Sequence, residues 1–349
     1  MQIMLHPPIE PMEAEQVDKV PEGSNWQYEP KWDGFRCLVF RQKSEVFLQS
    51  KAGQPLGRYF PEIVRAAQEL CPKWWVLDGE LAVPIESLFS FDHLLQRVHP
   101  AASRVDKLAK ETPAIYIAFD LLMPNKKEIL LQSALSERRD RLEEFSKNFE
   151  RAPAFYLSPV TLEIEEVENW LEQTGNNLDG VVCKQRDSSY VSGGSSASQK
   201  VKNYRSIDCV VGGFRYTEDG AGVASLLLGL YDDAGRLNHV GFTSGLKANE
   251  RISLARQLEK LISPPGFDGN APGGTSRWAP VASREWKPLR PELVVEVCYD
   301  HFTGGRFRHG TRILRWRPDK APRQCGYSQL PKPSSKVFDL LHKKSETEP

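Results

Sequence analysis

Five Asp-Gly pairs occur in this chain, and three of them constrain its fold, because each leads into an apolar strand that carries an embedded charge. The other two, at 219–220 and 268–269, lie in polar, glycine-rich surroundings and predict plain turns. A charge inside an otherwise buried strand is costly unless it has a partner or a ligand. Three such strands therefore predict one shared polar site, built from the segments 32–36, 77–81 and 178–184.

Lys31 stands directly before the first of these segments. Asp33-Gly34 between apolar stretches predicts a tight hairpin turn, which would bring Lys31, Asp33 and Arg36 together at a strand end. An amine that is crowded by a second cation can lose its proton near neutral pH and become a nucleophile. The sequence therefore indicates an amine able to attack phosphorus, and the alternative is an ordinary hairpin with solvated charges.

The composition is that of a globular protein. Of 349 residues, 26% are charged and 40% are hydrophobic, which is enough chain for two domains. No apolar run approaches the roughly 20 residues that span a bilayer, and the start of the chain does not resemble a signal peptide. Six scattered cysteines without a Cys-x-x-Cys motif argue against a disulfide framework and against a zinc site. These features predict a cytoplasmic protein with no membrane partner.

The pattern of secondary structure changes near residue 204. Up to residue 203, the chain predicts antiparallel sheets with flanking helices. Over 204–330, five short strands and one helix predict a small β-barrel of the oligonucleotide/oligosaccharide-binding (OB) type. The last stretch, 331–349, is mostly polar, although 337–341 could dock as a short helix. The predicted fold class is therefore α+β, with two domains and a C-terminal tail.

A basic strip lies near the end of the second predicted domain, although the formal net charge of the chain is zero. Between 306 and 323 there are seven lysines and arginines against one acid, Asp319. The segment 312–317 alternates as a strand with a basic face and interleaved aromatic residues, a pattern that suits phosphate contacts. The alternative is a solvated edge strand whose charges prevent aggregation.

The motif Lys-Trp-Asp-Gly-Phe-Arg at 31–36 resembles the nucleotidyl-acceptor motif of ATP-dependent DNA ligases, and of covalent nucleotidyltransferases generally. The family's further signatures follow in its usual order, at 77–80, 119–122, 179–184, 200–202 and 306–320. Six motifs in order with family-like spacing form a specific signal. The resemblance covers residues 7 to about 330 and is closest to the two-domain bacterial ligase C group. It implies an adenylation (nucleotidyltransferase) domain over 1–203 and an OB-fold domain over 204–330.

This resemblance implies a role for each residue of a nucleotide site. Lys31 would attack the α-phosphate of ATP, release pyrophosphate and remain as a lysyl-adenylate. Glu29 and Phe119 would hold adenine, by hydrogen bonding and by stacking. Arg36 and Lys51 would lie near the ribose and the phosphates. Lys51 stands where the family often has arginine, so the charge is kept and the bidentate fork is lost.

The resemblance also implies a metal and two sets of charge-compensating side chains. Glu80 and Asp179 would serve the ribose and a divalent cation, Mg²⁺ or Mn²⁺, which prefers carboxylate oxygens. Asp179 stands where the family usually has glutamate. Developing charge on the α-phosphate would be neutralised by Lys184, Lys200 and Lys202. The second domain would orient the pyrophosphate leaving group with Arg317, Asp319 and Lys320.

The function implied is the sealing of nicks between a 3′-OH and a 5′-phosphate in duplex DNA, through a lysyl-adenylate and a DNA-adenylate, in DNA repair. The partners would be ATP and nicked duplex DNA, and the enzyme would act as a monomer. Within the superfamily, the alternative is an RNA ligase or a GTP-dependent capping enzyme. From another class, the alternative is a non-catalytic OB-fold module that binds nucleic acid. NAD-dependent ligases are disfavoured, because they are longer and carry a zinc module of paired cysteines.

Overall fold

The computed structural model describes residues 4–86, 88–174, 178–273, 285–331 and 336–342. The chain divides into two compact units, of which the first holds residues up to 203 together with the C-terminal segment, and the second spans 204–332. The predicted order, a mixed α/β unit followed by a mostly β unit, is confirmed. Among the described helices, none combines the length and the apolar character needed to cross a membrane.

The strands of the first unit are, in chain order, β1 (Met12–Gln16), β2 (Trp26–Lys31), β3 (Phe35–Gln42), β4 (Glu45–Ser50), β5 (Trp74–Ala82), β6 (Pro84–Ile85), β7 (Leu88–Phe89), β8 (Ile115–Met123), β9 (Phe155–Leu157), β10 (Gly180–Gln185) and β11 (Gly193–Lys202). Its helices before the second unit are α1 (Pro61–Glu69), α2 (Phe91–Gln96), α3 (Ala102–Glu111), α4 (Leu135–Ser146) and α5 (Ile164–Thr174). Pro61 begins α1, a position that suits proline because the first turn of a helix needs no amide hydrogen from its first residue.

Two sheets dominate the first unit. One has the order β4-β3-β5-β8-β9 and the other has the order β1-β11-β10-β2. The five-stranded sheet packs against α1 and α4, with Phe60, Trp75 and Tyr116 fully buried in that core. A second cluster joins residues of both sheets, including Tyr28 of β2 and Ile117 of β8. The two sheets therefore share a core, and the end of β2 lies where they meet.

The hairpin predicted at Asp33-Gly34 is wrong. β2 pairs with β10, while β3 pairs with β4 and β5, so the chain passes from one sheet to the other between Lys31 and Phe35. Gly34 is required at this crossing, because a Cβ atom there would lie 2.1 Å from the carbonyl oxygen of Leu81. An Asp-Gly pair marks a change of chain direction, but only long-range pairing decides which strand each arm joins.

The second pair, Asp78-Gly79, lies inside β5 and is not a turn. The ladder with β8 shifts register between these two residues, which marks a β-bulge. A Cβ atom at Gly79 would lie 2.5 Å from the carbonyl oxygen of Ile117, so this glycine serves close strand packing. Gly220, in contrast, lies in the predicted turn, where its amide donates to the carbonyl of Thr217 at 2.8 Å.

The second unit is a mostly antiparallel β structure. Its elements are β12 (Arg205–Tyr216), β13 (Val223–Tyr231), β14 (Leu237–Thr243), α6 (Arg251–Glu259), β15 (Lys287–Pro288), β16 (Val294–Tyr299), β17 (Phe302–Thr303), β18 (Arg306–Phe307) and β19 (Arg312–Trp316). The main sheet has the order β14-β13-β12-β16-β19, and β15 pairs with β12. An isolated bridge between Thr243 and Thr311 connects its two outer edges. Across the described part of the chain, this bridge is not continued as a ladder between β14 and β19, so the two edges meet at one point and the sheet does not form the fully closed barrel that was expected.

The last described helix, α7 (Lys336–Asp339), follows the second unit in sequence but belongs to the first. Val337 is 0% exposed and Leu340 is 2% exposed, in one apolar cluster with Trp170 of α5. The ring of Phe338 lies 6.0 Å from that of Phe89. Residues 332–335 and 343–349 of the predicted polar tail lie outside the described residues. The C-terminal segment thus completes the core of the first unit.

We expect Leu340→Ala to lower the free energy of unfolding of the first unit by about 2–5 kcal/mol, because it empties a buried site in that core. Asp339→Ala is the matched control at the preceding position, since Asp339 is exposed, and it should change the unfolding free energy by less than about 0.5 kcal/mol. Denaturant unfolding of the full chain measures both variants. Equal effects of the two changes would contradict the docking of α7.

Candidate active site

A cleft in the first unit gathers most of the predicted site residues. It is lined by Glu29, Lys31, Arg36, Lys51, Glu80, Phe119, Lys184 and Lys200. These side chains come from β2, β3, β5, β8, β10 and β11, with Lys51 directly after β4, so both sheets contribute. The prediction of one shared polar site is consistent with this geometry, because residues from all three charged Asp-Gly segments lie in or beside one cleft.

Lys31 is placed by the pairing of β2 with β10. Its Cα lies opposite Gly180, and its carbonyl oxygen accepts a hydrogen bond of 3.1 Å from the amide of Asp179. The Lys31 ammonium also donates to the carboxylate of Asp179. The pairing of β2 with β10 thus brings the Lys31 ammonium and the Asp179 carboxylate together as an ion pair.

Arg36 pairs with Asp78, whereas the sequence analysis expected its positive charge to crowd the Lys31 amine. Its guanidinium forms a two-point contact with Asp78, at 2.6 Å from Nε to Oδ1 and 2.5 Å from Nη2 to Oδ2. Asp78 is completely buried and accepts a further hydrogen bond of 2.6 Å from the hydroxyl of Tyr190. Burial raises the pKa of Tyr190 well above its usual value, so the hydroxyl remains a donor. The expected crowding of Lys31 by Arg36 is thus replaced by two separate ion pairs.

Phe119 lies on β8 with its ring partly exposed to the cleft. The Arg36 guanidinium carbon lies 4.5 Å from the ring centroid, and the Lys184 ammonium lies 4.7 Å from it. Glu29, which is 2% exposed, accepts 2.8 Å and 2.9 Å hydrogen bonds from Lys184 and Gln27. The two residues assigned to adenine therefore lie beside the same lysine.

A group of lysines gives the cleft its positive charge. The pKa of Lys200 is lowered by burial and by the positive charges of Lys31, Lys51 and Lys202, with Glu13 opposing them. Glu13 also forms an ion pair of 2.7 Å with Lys51. Cations that repel one another are stabilised by an anion placed between them. The arrangement therefore suits a phosphate group.

Glu80 is the acidic counterpart of these lysines in the cleft. Burial raises its pKa from 4.5 to about 8, although the charges of Arg36 and Lys31 oppose the shift. Among the described residues, no cluster of three or more histidines, cysteines and acids forms a ready-made metal site. Mg²⁺ commonly uses one or two carboxylates together with substrate phosphates, so Glu80 and Asp179 have the donor chemistry for it.

Two pairs of site residues were missed by the sequence analysis. Arg138 of α4 and Asp120 of β8 both line the cleft and are joined by hydrogen bonds of 2.9 Å and 3.0 Å. Asp78 and Tyr190 hold Arg36. Asp120 is a charge in a buried strand, the same signal that identified Glu80. Arg138 carries no such signal, because it is one of many charges on its helix.

Five predicted residues lie outside the lining of this cleft. Asp179 lies beside it, paired with Lys31, and Lys202 ends β11, two residues beyond Lys200. The other three belong to the second unit, where Arg317 contacts Asp319 and Asp208, and Lys320 also contacts Asp208. The second unit thus holds its predicted residues in an ion-pair network of its own.

Comparisons with known proteins identify the family. Residues 11–202 match the model of the ATP dependent DNA ligase domain, and residues 219–320 match that of the ATP dependent DNA ligase C terminal region. DNA ligase C1 of Mycolicibacterium smegmatis is 41% identical, over 98% of this chain and 99% of that protein. DNA ligase C of Mycobacterium tuberculosis is 38% identical, over 95% of this chain and 96% of that protein.

A solved structure, described as mycobacterial DNA ligase D complexed with ATP and MES, is 27% identical. It covers 93% of this chain and 98% of its own, with a TM-score of 0.50. The matches favour the predicted DNA ligase over an RNA ligase, a capping enzyme and a non-catalytic module. The chain belongs to the family of ATP-dependent DNA ligases.

Proposed function

We propose that this DNA ligase forms a lysyl-adenylate on Lys31 and uses it to seal nicks between a 3′-OH and a 5′-phosphate in duplex DNA. One observation supports this above the others. The Lys31 amine lies in a cleft lined by further lysines, beside the two carboxylates that suit a metal ion. Nucleotidyl transfer needs in-line positioning and charge compensation, and the lysines of this cleft can supply the charge compensation.

In the first step, the Lys31 nitrogen attacks the α-phosphorus of ATP, a P–N bond forms, and the bond to pyrophosphate breaks. Lys184, Lys200 and Lys202 compensate the charge that develops on the α-phosphate. Adenine binds between Glu29 and Phe119, while Arg36 and Lys51 contact the ribose and phosphates. The guanidinium of Arg36 is preorganised for these contacts, because its two hydrogen bonds to Asp78 fix its orientation. Charge placed in advance lowers the barrier, because little reorganisation is then needed.

In the second step, the 5′-phosphate of the nick attacks the adenylate phosphorus and releases the Lys31 amine. In the third step, the 3′-OH attacks the 5′-phosphorus and AMP leaves. Arg317, Asp319 and Lys320 of the second unit act in the first step, where they orient pyrophosphate. The remaining basic strip of that unit suits DNA phosphates, since Arg312 and Arg315 are exposed.

The proposal includes a divalent cation, Mg²⁺ or Mn²⁺, held by Glu80 and Asp179. When bound, it supplies positive charge against the phosphate oxygens. Asp179 would hold the ion together with Glu80, and its carboxylate would then no longer be paired with the Lys31 ammonium alone. The Lys31 ammonium would transfer one proton to solvent water, which leaves the nitrogen lone pair for attack.

The same proposal extends to the cellular role. Relatives of this chain are named DNA ligase C1 and DNA ligase C, and another is named a multifunctional non-homologous end joining DNA repair protein, which supports a role in DNA repair. The enzyme would act as a monomer, because each chain carries both matched ligase regions. A cytoplasmic location fits, since ATP and chromosomal DNA are both found in the bacterial cytoplasm.

Replacement of the nucleophile tests the first step. Lys31→Ala should reduce transfer of radiolabelled AMP from ATP to the protein to below about a thousandth of the wild-type rate, because no amine remains to attack. Sealing of a nick that already carries a 5′-adenylate should keep part of its rate. Lys107→Ala is the control, since Lys107 is 70% exposed on α3. A labelled Lys31→Ala protein would show that another residue accepts AMP.

Replacement of Asp179 tests the proposed metal ligand. It also tests the division of the Asp-Gly pairs into those that precede charged strands and those that form plain turns. Asp179→Ala should lower Mg²⁺-dependent nick sealing by about 100-fold, because both the metal and the Lys31 amine lose a carboxylate. Asp219→Ala removes the same group from a surface turn of the second unit and should leave sealing nearly unchanged. Nick-sealing rates measured over a range of Mg²⁺ concentrations distinguish Asp179→Ala from Asp219→Ala. Equal losses would contradict the assignment of Asp179.

The raised pKa of Glu80 predicts a dependence of stability on pH. In the absence of metal, the fold favours the protonated acid, whose pKa is about 8, whereas the unfolded chain ionises near 4.5. Stability contributed by the neutral acid is therefore complete below pH 4.5 and is lost as pH rises towards 8. The melting temperature of Glu80→Gln should accordingly exceed that of the wild type by a margin that grows from pH 5 to pH 8.

Glu45→Gln is the control for this pH series, because Glu45 is exposed. Added Mg²⁺ should stabilise the wild type increasingly as pH rises, and the Gln variant much less. A pH-independent margin between Glu80→Gln and the wild type would show that Glu80 is already ionised in the fold.

A further inference from the structure

In the second unit, Asp208 is the point at which two predicted pyrophosphate-binding cations meet. Arg317 Nη1 donates to Asp208 Oδ1 at 2.9 Å and to Oδ2 at 3.2 Å. The Lys320 ammonium lies 3.3 Å from Asp208 Oδ2. Asp208 is 8% exposed, whereas the Asp319 side chain, the other close partner of Arg317, is 65% exposed. The buried carboxylate is therefore the one that links both cations.

The surrounding structure holds Asp208 firmly. It lies in β12, in register with Glu296 of β16, and Glu296 is in turn in register with Arg315 of β19. Its backbone carbonyl accepts a hydrogen bond of 3.1 Å from the side chain of Gln329. The pairing with β16 and the hydrogen bond from Gln329 both restrict the movement of Asp208, so its carboxylate is a fixed point for the side chains that follow β19.

These contacts order both cations. Arg317 uses Nη1 on Asp208, and Nε and Nη2 on Asp319, which fixes the plane of its guanidinium. An ammonium carries three N–H donors, and the contact that Lys320 makes here is with one oxygen of Asp208. Long basic side chains lose rotational freedom when they bind phosphate, and this loss is smaller when a partner has already ordered them.

We propose that Asp208 is a positioning residue for the first step of ligation. It holds Arg317 and Lys320 as a preformed pair of cations for the pyrophosphate group of ATP. The inference rests on the proposed function, in which these cations face pyrophosphate. Asp208 itself does not contact the nucleotide, and it has no part in the sealing of a nick that is already adenylated.

The test uses full-length Asp208→Asn, which keeps the size of the side chain and removes its charge. Asp232→Asn is the matched control, since Asp232 pairs with Arg236 in the same unit, away from Asp208. The rate constant of adenylation by ATP should fall about 10- to 100-fold in Asp208→Asn, because the cations are no longer preorganised. Sealing of a pre-adenylated nick by Asp208→Asn should stay close to the wild-type rate. The control Asp232→Asn should keep the wild-type adenylation rate and melting temperature.

The reverse reaction gives a readout that a purely structural role would not move. Pyrophosphate attacks the α-phosphorus of the Lys31 adenylate, the P–N bond breaks, and ATP and the free amine form. The KM for pyrophosphate should rise about tenfold in Asp208→Asn, because misplaced cations bind it less well. Asp208→Glu retains the charge and should give intermediate values. It also serves as the test variant if the amide variant does not fold.

Three outcomes would overturn the proposal. Adenylation by Asp208→Asn at or above the wild-type rate would show that the carboxylate is dispensable or that it restrains the cations. Equal losses in adenylation and in sealing of the pre-adenylated nick would show a structural role alone. An unchanged KM for pyrophosphate would show that the cations remain in place. Arg317→Ala is measured in parallel, because normal adenylation by that variant would instead refute the role proposed for Arg317.

Discussion

The antiparallel pairing of β2 with β10 is the constraint on which the active site depends. It sets Lys31 opposite Gly180 and brings the Asp179 carboxylate onto the Lys31 ammonium. Because side chains alternate along a strand, a slip of one residue would turn Lys31 away from the cleft. The crossing at Gly34 then carries the chain into the second sheet, so that Arg36 enters the same cleft from β3.

Charge pairing organises the cleft before any nucleotide arrives. Asp78 holds Arg36 and Glu29 holds Lys184, and both carboxylates are buried, so the two cations occupy defined places. A buried charge without its partner is strongly destabilising, which keeps these pairs together. The positive charges of Lys31, Lys51 and Lys202 act on Lys200 and lower its pKa. A phosphate group placed among these lysines would relieve their repulsion, and this is the electrostatic basis of the ligand that we propose.

The first unit is built from two separate stretches of the chain. The chain leaves the first unit after residue 203, forms the second unit, and returns to the first through α7. Val337 and Leu340 pack in the same buried cluster as Trp170. The first unit therefore depends on residues from both ends of the chain, and the second unit is connected to it at both of its own ends.

Local patterns in the sequence identified much of this protein. The charged strands after Asp-Gly pairs indicated a polar site with Lys31, Glu80 and Lys184, because a charge in an apolar strand is unstable without a partner. The motif order indicated the ligase family. The same patterns could not show that Asp33-Gly34 joins two sheets, since the two arms of a turn look alike whether or not they pair with each other.

The sequence by itself thus determined which residue types the site contains and which chemistry they can perform. The tertiary structure alone decided their partners. Arg36 meets Asp78 rather than Lys31, and Arg138 reaches Asp120 from a helix on which it is one charge among many. The physical reason is the distance along the chain over which each effect acts. Helix and strand propensities and hydrophobic periodicity act over a few residues. Each of these ion pairs instead joins two different elements, and whether those elements meet depends on how the sheets and helices pack.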